Sequence, residues 1–306
     1  MFSLVMRQLS IMAIIGVGGF IYAKVVKVQE YESKFLSKLL LYFINPFMII
    51  NSFNKEFNLE KFKQLLFVIL LSLIAHLVMI LLGFFSTKDK VDRLAVSLTN
   101  CGFVGIPLVR GVFGEEGVFF LMGYLVVFNI MVWTYGYYQI GGSVKIKKII
   151  TNPNIIAITF GLILYVLPVS IPEIIMKPIN MIGDLNTAVS MILIGILLAN
   201  FKFSESKAYL FQIAKTLILR LIVTGILNIA VFFVIFKIFG NFPDIQILIY
   251  VVLLASLCPV ATSIPGLACV FNKDATYASV LVSISSLLCL FTLPAIVALA
   301  ELVIRL

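Results

Sequence analysis

The sequence predicts an all-α integral membrane protein with ten transmembrane helices, and three observations support this prediction. Apolar residues make up 62% of the 306-residue chain and charged residues only 12%, against about half and about a quarter in a typical soluble domain. The mean hydropathy is +1.15. Apolar runs long enough to cross a bilayer, roughly 20 residues each, follow one another along the whole chain. We therefore expect lipid to surround most of the protein.

The ten predicted spans differ in their regularity. Spans three and eight are the plainest apolar runs, whereas spans two, four and nine are marked by interruptions, at Asn45-Pro46, at Gly102, Gly105 and Pro107, and at Pro259, Pro265 and Gly266. We expect the first span to be a membrane helix, because it exceeds a typical signal-peptide core and lacks a small-residue cleavage site. The predicted spans are 4–24, 35–53, 63–86, 93–112, 116–139, 153–170, 176–200, 211–239, 246–271 and 275–302.

The positive charge of the chain is distributed as a topology signal. The net charge is +9, but the basic residues flank apolar runs and form no patch interleaved with aromatic residues, which argues against nucleic-acid binding. Fifteen Lys and Arg residues, Arg220 among them, fall on one predicted side of the membrane and eight on the other. The positive-inside rule places the larger group in the cytoplasm and both termini outside, with the plasma (cytoplasmic) membrane as the expected location.

The four cysteines show no metal-binding pattern. They lie in apolar segments, with no C-x-x-C spacing and no partnering histidines: Cys101, Cys258, Cys269 and Cys289. This distribution favours buried free thiols over a metal site or a disulfide framework.

An internal repeat relates the two halves of the chain. At an offset of 158 residues, GIPLVRGVFGEEG (105–117) aligns with SIPGLACVFNKDA (263–275) without a gap, and Pro107 coincides with Pro265. Each repeat would hold five spans, an odd number, so the second repeat must enter the membrane inverted, as in many secondary transporters. We expect five-helix repeats at 1–140 and 153–306, joined by a short linker at 141–152.

Spans four and nine, which proline interrupts, are the predicted functional elements. Proline frees backbone polar groups, and lipid tolerates such groups only inside protein or beside a water-filled cavity. If both spans unwind at mid-depth they can cross, and helix N-termini at the crossing would attract an anion. The alternative is two ordinary kinked helices whose small residues pack against neighbours, but their matched positions in the repeat favour a site. The candidate residues are Asn100, Gly102, Gly105, Pro107, Pro259, Thr262, Ser263 and Pro265.

Four stretches of sequence match the pattern of a known family. They are SLTNCGFVGIPLVRGVFG (97–114), ITNPN (150–154), GDLNTAVSMILIGILLA (183–199) and the segment 258–294. Together they resemble the auxin efflux carrier family, which includes plant PIN carriers and bacterial malate- and malonate-permease-like proteins. Span two matches less well, because it retains a proline in Asn45-Pro46 but adds an asparagine.

The resemblance implies an architecture and a site. The architecture is ten spans in two inverted five-helix repeats, arranged as a scaffold and a transport domain. The site is the crossing of broken helices four and nine, which would bind a carboxylated organic anion. The family positions that carry over to this chain are Asn100, Gly105, Pro107, Pro259 and Pro265.

Three further positions carry hypotheses with open alternatives. Asp184 is the acid predicted to lie furthest inside a span, and with Asn186 and Thr187 it would form an oxygen-rich site for a coupling ion. An exposed charge at a helix end is an equally favoured interpretation of Asp184. For His76, a buried neutral histidine is favoured over a proton shuttle. For Arg110, an interfacial charge is favoured over a role in attracting substrate.

The sequence thus predicts a secondary transporter of a small organic anion such as a carboxylate, working by alternating access. The alternative is a sodium- or proton-coupled bile-acid-type symporter or ion antiporter with the same crossed helices, which further membrane-embedded acids would indicate. An enzyme is not expected, since no nucleophile, acid–base pair or metal-ligand cluster is evident. The expected partners are the organic anion and membrane lipid, without nucleic acid; homodimer formation is left open. No cofactor or metal is expected beyond a coupling proton or sodium ion.

Overall fold

The computed structural model describes residues 1–144, 146–167, 171–200 and 210–304. In these ranges the regular structure is helical, apart from one antiparallel bridge between Thr99 and Val260. The α-helices are α1 (Phe2–Val26), α2 (Glu30–Leu39), α3 (Asn45–Phe53), α4 (Leu59–Ser86), α5 (Lys90–Ser97), α6 (Ile106–Met131), α7 (Tyr137–Ile140), α8 (Ile146–Ile150), α9 (Pro153–Val166), α10 (Glu173–Ala199), α11 (Leu210–Ile218), α12 (Thr224–Phe239), α13 (Ile245–Leu257), α14 (Ser263–Val270) and α15 (Ala275–Ile304). Wider π-helical turns join several of them, at Leu40–Ile44, Cys101–Gly105, Val132–Gly136 and Leu219–Val223.

Much of the described chain consists of helical stretches that are each long and apolar enough to cross a membrane. Seven stretches meet this description: Phe2–Val26, Tyr31–Phe53, Leu59–Ser86, Cys101–Ile140, Glu173–Ala199, Leu210–Phe239 and Ala275–Ile304. The apolar helices α9 and α13 are shorter. Large apolar side chains cover the outer surface; Phe85, Ile174 and Phe211 are 79%, 83% and 85% exposed. Such a surface suits lipid and would aggregate in water. The count of ten spans and the inverted repeat stay predictions.

Two of the π-helical turns directly precede an X-Pro pair. The N–H of Asn45, before Pro46, bonds to the carbonyl of Leu40, and the N–H of Ile106, before Pro107, bonds to the carbonyl of Cys101. Both bonds span five residues instead of four. A proline ring crowds the carbonyl four residues before it, and a wider turn relieves this contact. Proline therefore explains why spans two and four are irregular at these points.

The helices pack in two groups, and each group contains helices from both halves of the chain. We call α1, α3, α9 and α10 the α10 group, and α4, α6, α12, α13 and α15 the α6 group. In the α10 group, α1 and α10 approach so closely that a Cβ atom on Gly19 would lie 2.5 Å from the Ile192 carbonyl oxygen. A Cβ atom on Gly195 would lie 2.0 Å from the Gly16 oxygen. Glycine permits this close contact between helices.

Helix α1 packs against α6 and α15, and specific polar and aromatic contacts also join the two groups. The side-chain amide of Gln8 on α1 donates to the Pro107 carbonyl on α6 at 3.0 Å. Phe119 of α6 packs its ring against Phe53 of α3 and Tyr165 of α9, with centroid distances of 5.6 and 5.1 Å. The groups therefore meet along α1, which also forms an ion pair between the N-terminus and Glu301 of α15 at 3.1 Å, and at an aromatic cluster of Phe53, Phe119 and Tyr165.

Candidate functional site

Spans four and nine both break, and the two breaks meet. Helix α5 ends at Ser97 and helix α13 ends at Leu257. The N–H of Asn100 donates to the Pro259 carbonyl at 2.8 Å, and the N–H of Ala261 donates to the Leu98 carbonyl at 3.1 Å. These bonds satisfy backbone groups that the breaks would leave unpaired, which lipid would not do. We call the segments 98–100 and 258–262 the crossing.

Asn100 combines a capping role with an unused donor. Its Oδ1 accepts from the Phe103 N–H at 3.3 Å and so caps the π-helical turn that leads into α6. The side chain is buried, with 4% of the residue exposed, and its Nδ2 has no hydrogen-bond partner among the described residues. A buried donor without an acceptor costs about 1–3 kcal/mol. Asn100 can therefore offer its Nδ2 to the oxygen atom of a ligand.

The other candidate residues of span four play different structural parts. A Cβ atom on half-buried Gly102 would have no neighbour within 4 Å, so this residue borders open space. A Cβ atom on buried Gly105 would lie 3.3 Å from both Cys101 Cβ and Cys258 Sγ, so Gly105 lets span four pack against span nine. Pro107 is buried beside Gln8. Of these three residues, Gly102 alone leaves room for a ligand.

The candidate residues of span nine line the start of α14. Pro259 is buried and accepts the bond from Asn100, whereas Thr262 and Pro265 are half-buried and Ser263 is exposed. Thr262 precedes α14 without capping it through its side chain. The first N–H groups of a helix have no partner within that helix, so α14 presents its positive end at the crossing. The structure thus brings Asn100 and Gly105 of span four against Pro259 and Cys258 of span nine.

Arg220 lies at the crossing and was not among the predicted site residues. It is fully buried, and its Nη2 donates to the carbonyls of Ser256 and Cys258 at 2.6 and 2.5 Å. Its Nη1 donates to the Val96 carbonyl at 3.3 Å and contacts the Met79 sulfur at 3.1 Å. Val96 is near the end of α5, and Ser256 and Cys258 are at the end of α13. The guanidinium group therefore binds carbonyls at both helix ends that form the crossing.

The assignment of Arg220 to a cytoplasmic flank was wrong. The residue lies nine positions inside the predicted span 211–239, and a charged residue inside a span is expected to be functional. Lys215 and the basic residues before it made Arg220 resemble the end of a flanking cluster. Its position within the span was the signal that could have identified it.

The predicted ion-coupling residues lie on different sides of α10. Asp184 is exposed, Thr187 is half-buried and Asn186 is fully buried. The Nδ2 of Asn186 donates to Asn45 Oδ1 at 2.7 Å, which joins α10 to the start of α3, and Asn186 Oδ1 has no partner among the described residues. A joint ion site at these three residues stays a prediction.

His76 and Arg110 have local partners. His76 is fully buried, with Nδ1 2.8 Å from the Ser72 carbonyl and its ring 4.8 Å from that of Tyr124. Arg110 forms an ion pair with Glu115 at 2.9 Å, across a bend at Gly114 where φ is +64°. These contacts fit the interpretations of a buried histidine and an interfacial arginine.

The cysteines are free, but one is not buried. Cys101, Cys258 and Cys289 are buried in the α6 group, whereas Cys269 is exposed on α14. The expectation of burial was therefore wrong for Cys269, because α14 is short and turns one side outward.

Asp92 is a buried acid that is not among the predicted site residues. It lies in the first turn of α5, ahead of the predicted span 93–112, and is 2% exposed. Its carboxylate accepts from the Tyr277 hydroxyl at 2.5 Å and from the Gln212 amide at 2.8 Å. Burial raises the pKa of Asp92, and the bonds from Tyr277 and Gln212 oppose this shift. The carboxylate ties α5 to α11 and α15 near one end of the α6 group.

We expect Asp92→Asn to change the pH dependence of stability. A folded-state pKa above the unfolded value means that the wild type gains stability as pH falls and loses it as pH rises through the folded-state pKa. The thermal unfolding temperature of the wild type should therefore fall relative to that of Asp92→Asn as pH increases. Asp92→Ala is the control and should be less stable at every pH by about 1–3 kcal/mol, because Tyr277 and Gln212 lose their acceptor. A constant difference between wild type and Asp92→Asn across pH would contradict the assignment.

Comparison with known families defines the class of the protein. The sequence model of a family described as "Membrane transport protein" matches residues 3–145 and 139–297, which is nearly the whole chain. With its apolar helices, the chain is therefore an integral membrane protein of a transporter family. The chain belongs to this membrane transport protein family, the auxin efflux carrier or PIN-like family. No curated protein matches the chain as a relative.

Proposed function

We propose that this protein is a secondary transporter that moves a small organic anion, such as a carboxylate, by alternating access, and that the anion binds at the crossing. The observation that carries this proposal is the Nδ2 of Asn100, a buried donor that has no hydrogen-bond partner in the described ranges and lies where two broken helices are bridged. The family membership supports the function of a transporter.

The crossing offers several groups that suit a carboxylate. Asn100 supplies a side-chain donor, α14 supplies its positive end with the N–H of Ser263, and Gly102 borders open space. Further along the first turn of α14, the Ile264 N–H is bonded to the Ala261 carbonyl and Pro265 has no N–H. Helix N-termini bind anions through such N–H groups and their partial positive charge. The site therefore needs no exposed Lys or Arg side chain in contact with the anion.

Alternating access would require the α6 group, which holds the crossing, to move against the α10 group. The bond between Gln8 and the Pro107 carbonyl and the aromatic cluster of Phe53, Phe119 and Tyr165 connect the groups. The packing of α1 against α6 and α15 and the ion pair between the N-terminus and Glu301 connect them as well. All of these contacts are non-covalent and would have to be exchanged for others during the movement. The tight glycine packing of α1 on α10 lies within the α10 group, so these two helices would stay together as a rigid unit.

The proposal is tested by uptake of a panel of carboxylates into proteoliposomes, with Asn100→Asp and Gly102→Leu as variants. Asn100→Asp keeps the oxygen that caps Phe103 but removes the Nδ2 donor. A hydrogen bond to a charged group contributes about 1.5–3 kcal/mol, so we expect affinity for the anion to fall by at least tenfold. Gly102→Leu should also block uptake, because its side chain enters the open space.

The control is Gly266→Ala, which lies in span nine and whose Cβ atom would also meet nothing within 4 Å. It should transport as the wild type does. Uptake that is equal in the wild type, Asn100→Asp and Gly102→Leu would show that the anion binds elsewhere. Sodium and pH gradients imposed separately would test coupling through Asp184, Asn186 and Thr187.

A further inference from the structure

At the crossing, backbone carbonyls bind a cation that is part of the protein, the guanidinium group of Arg220. Arg220 donates to three backbone carbonyls, those of Val96, Ser256 and Cys258. No carboxylate is among the hydrogen-bond partners that the described residues provide for it. The guanidinium group stays protonated in proteins. The backbone ends of α5 and α13 therefore face a permanent positive charge.

In transporters with discontinuous helices, unwound carbonyls and helix C-terminal ends coordinate the coupling cation. In this protein, the helix-end carbonyls of Val96, Ser256 and Cys258 are bonded to Arg220 instead. A metal ion would have to displace a side chain that is fully buried and held on both sides of the crossing.

The charges of the helix ends explain why a cation is needed there. Each helix C-terminus carries roughly half a negative charge, and the ends of α5 and α13 meet at Arg220. The guanidinium charge balances them. The positive N-terminal ends that begin after the crossing, toward α6 and α14, are then left free to attract an anion.

We infer that Arg220 is a built-in counter-cation, which takes the place of a metal ion at the crossing, so that the organic anion is transported without sodium. The inference rests on the proposed function for the transport step, and on the contacts of Arg220 for the cation site. Arg220 is thus a positioning residue, which acts on the anion through the helix ends.

The test uses the wild type, Arg220→Met and Arg220→Lys. Each is assayed in sodium, potassium and choline salts, for carboxylate uptake by proteoliposomes and for thermal unfolding in detergent. A coupling ion changes the affinity of its partner by about 5- to 150-fold. For the wild type, we expect sodium to change neither the affinity for the carboxylate nor the thermal unfolding temperature, relative to potassium and choline. Arg220→Met should lose uptake and stability in choline, and sodium should partly restore both, because the carbonyls then accept a metal ion.

Uptake and unfolding of Arg220→Lys should not respond to sodium, because its ammonium group still donates to carbonyls. Its unfolding temperature should be lower than that of the wild type, since an ammonium group lacks the planar geometry of the guanidinium group. A wild type that needs sodium for uptake, or that sodium stabilises over potassium and choline, would overturn the inference. So would an Arg220→Met variant as stable as the wild type in choline.

The two proposals can fail separately. If the wild type moves no carboxylate in any salt, the proposed function fails, and the unfolding measurements still decide whether Arg220 fills a cation site. If Arg220→Met does not fold in any salt, the wild type and Arg220→Lys decide the inference through their response to sodium.

Discussion

Replacing Gly19 by alanine is expected to destabilise the protein strongly, whereas replacing its neighbour Gly18 is not. A Cβ atom on Gly19 would lie 2.5 Å from the carbonyl oxygen and 2.8 Å from the Cα of Ile192, both backbone atoms of α10. Backbone cannot rotate away as a side chain can, so α1 and α10 must separate. Overpacking of this kind costs about 1–3 kcal/mol or more. Thermal unfolding in detergent would measure it.

Gly18→Ala is the matched control on the same helix. A Cβ atom on Gly18 would meet nothing within 4 Å, and alanine favours a helix over glycine by about 1 kcal/mol. Its unfolding temperature should equal or exceed that of the wild type. Gly195→Ala should behave like Gly19→Ala, because its Cβ atom would lie 2.0 Å from the Gly16 oxygen. Equal unfolding temperatures for Gly18→Ala and Gly19→Ala would show that α1 does not pack on α10 in this way.

Ala261→Pro is expected to have the second large effect, through the bridge at the crossing. The N–H of Ala261 donates to the carbonyl of Leu98, and both residues are almost fully buried, at 1% and 0% exposure. Proline has no N–H, so the Leu98 carbonyl would lose its partner in a place that water cannot reach. This costs about 1–3 kcal/mol. We expect a lower unfolding temperature and loss of anion uptake, since spans four and nine are no longer held together on that side.

Ala261→Ser serves as the control for this variant, because it keeps the N–H and adds a single oxygen atom. It should retain the bridge and most of the stability. If Ala261→Pro were as stable as Ala261→Ser, the two broken spans would not be joined by backbone hydrogen bonds.

The features that depend on local chemistry could be predicted from the sequence. Proline disfavours the interior of a helix, so the breaks near Pro107 and Pro259 were expected from residue type, although Pro178 and Pro294 lie inside the continuous helices α10 and α15. Their meeting was expected from the repeat. Asn45 and Asn186 were noted separately, but nothing local to either residue indicates that their side chains bond to each other.

The missed residues depend on long-range packing. Arg220 bonds to residues 36 and 124 positions away, and Asp92 bonds to a tyrosine 185 positions away. Both resemble flanking charges beside Lys215 and Arg93, and only the packing of α5, α13 and α15 around them shows that they are buried. A charge near the end of a predicted span cannot be placed without knowing which helices surround it.

The buried thiols at the crossing provide the protein with its own chemical reporters of motion. Cys101 and Cys258 both lie against Gly105 and are shielded from solvent, while Cys269 is the exposed thiol on α14. Once Cys269 and the third buried thiol, Cys289, are replaced by serine, an alkylating reagent can modify Cys101 or Cys258 only while the surrounding helices are apart. The rate of that modification would therefore record how often the crossing opens, without introducing a foreign label.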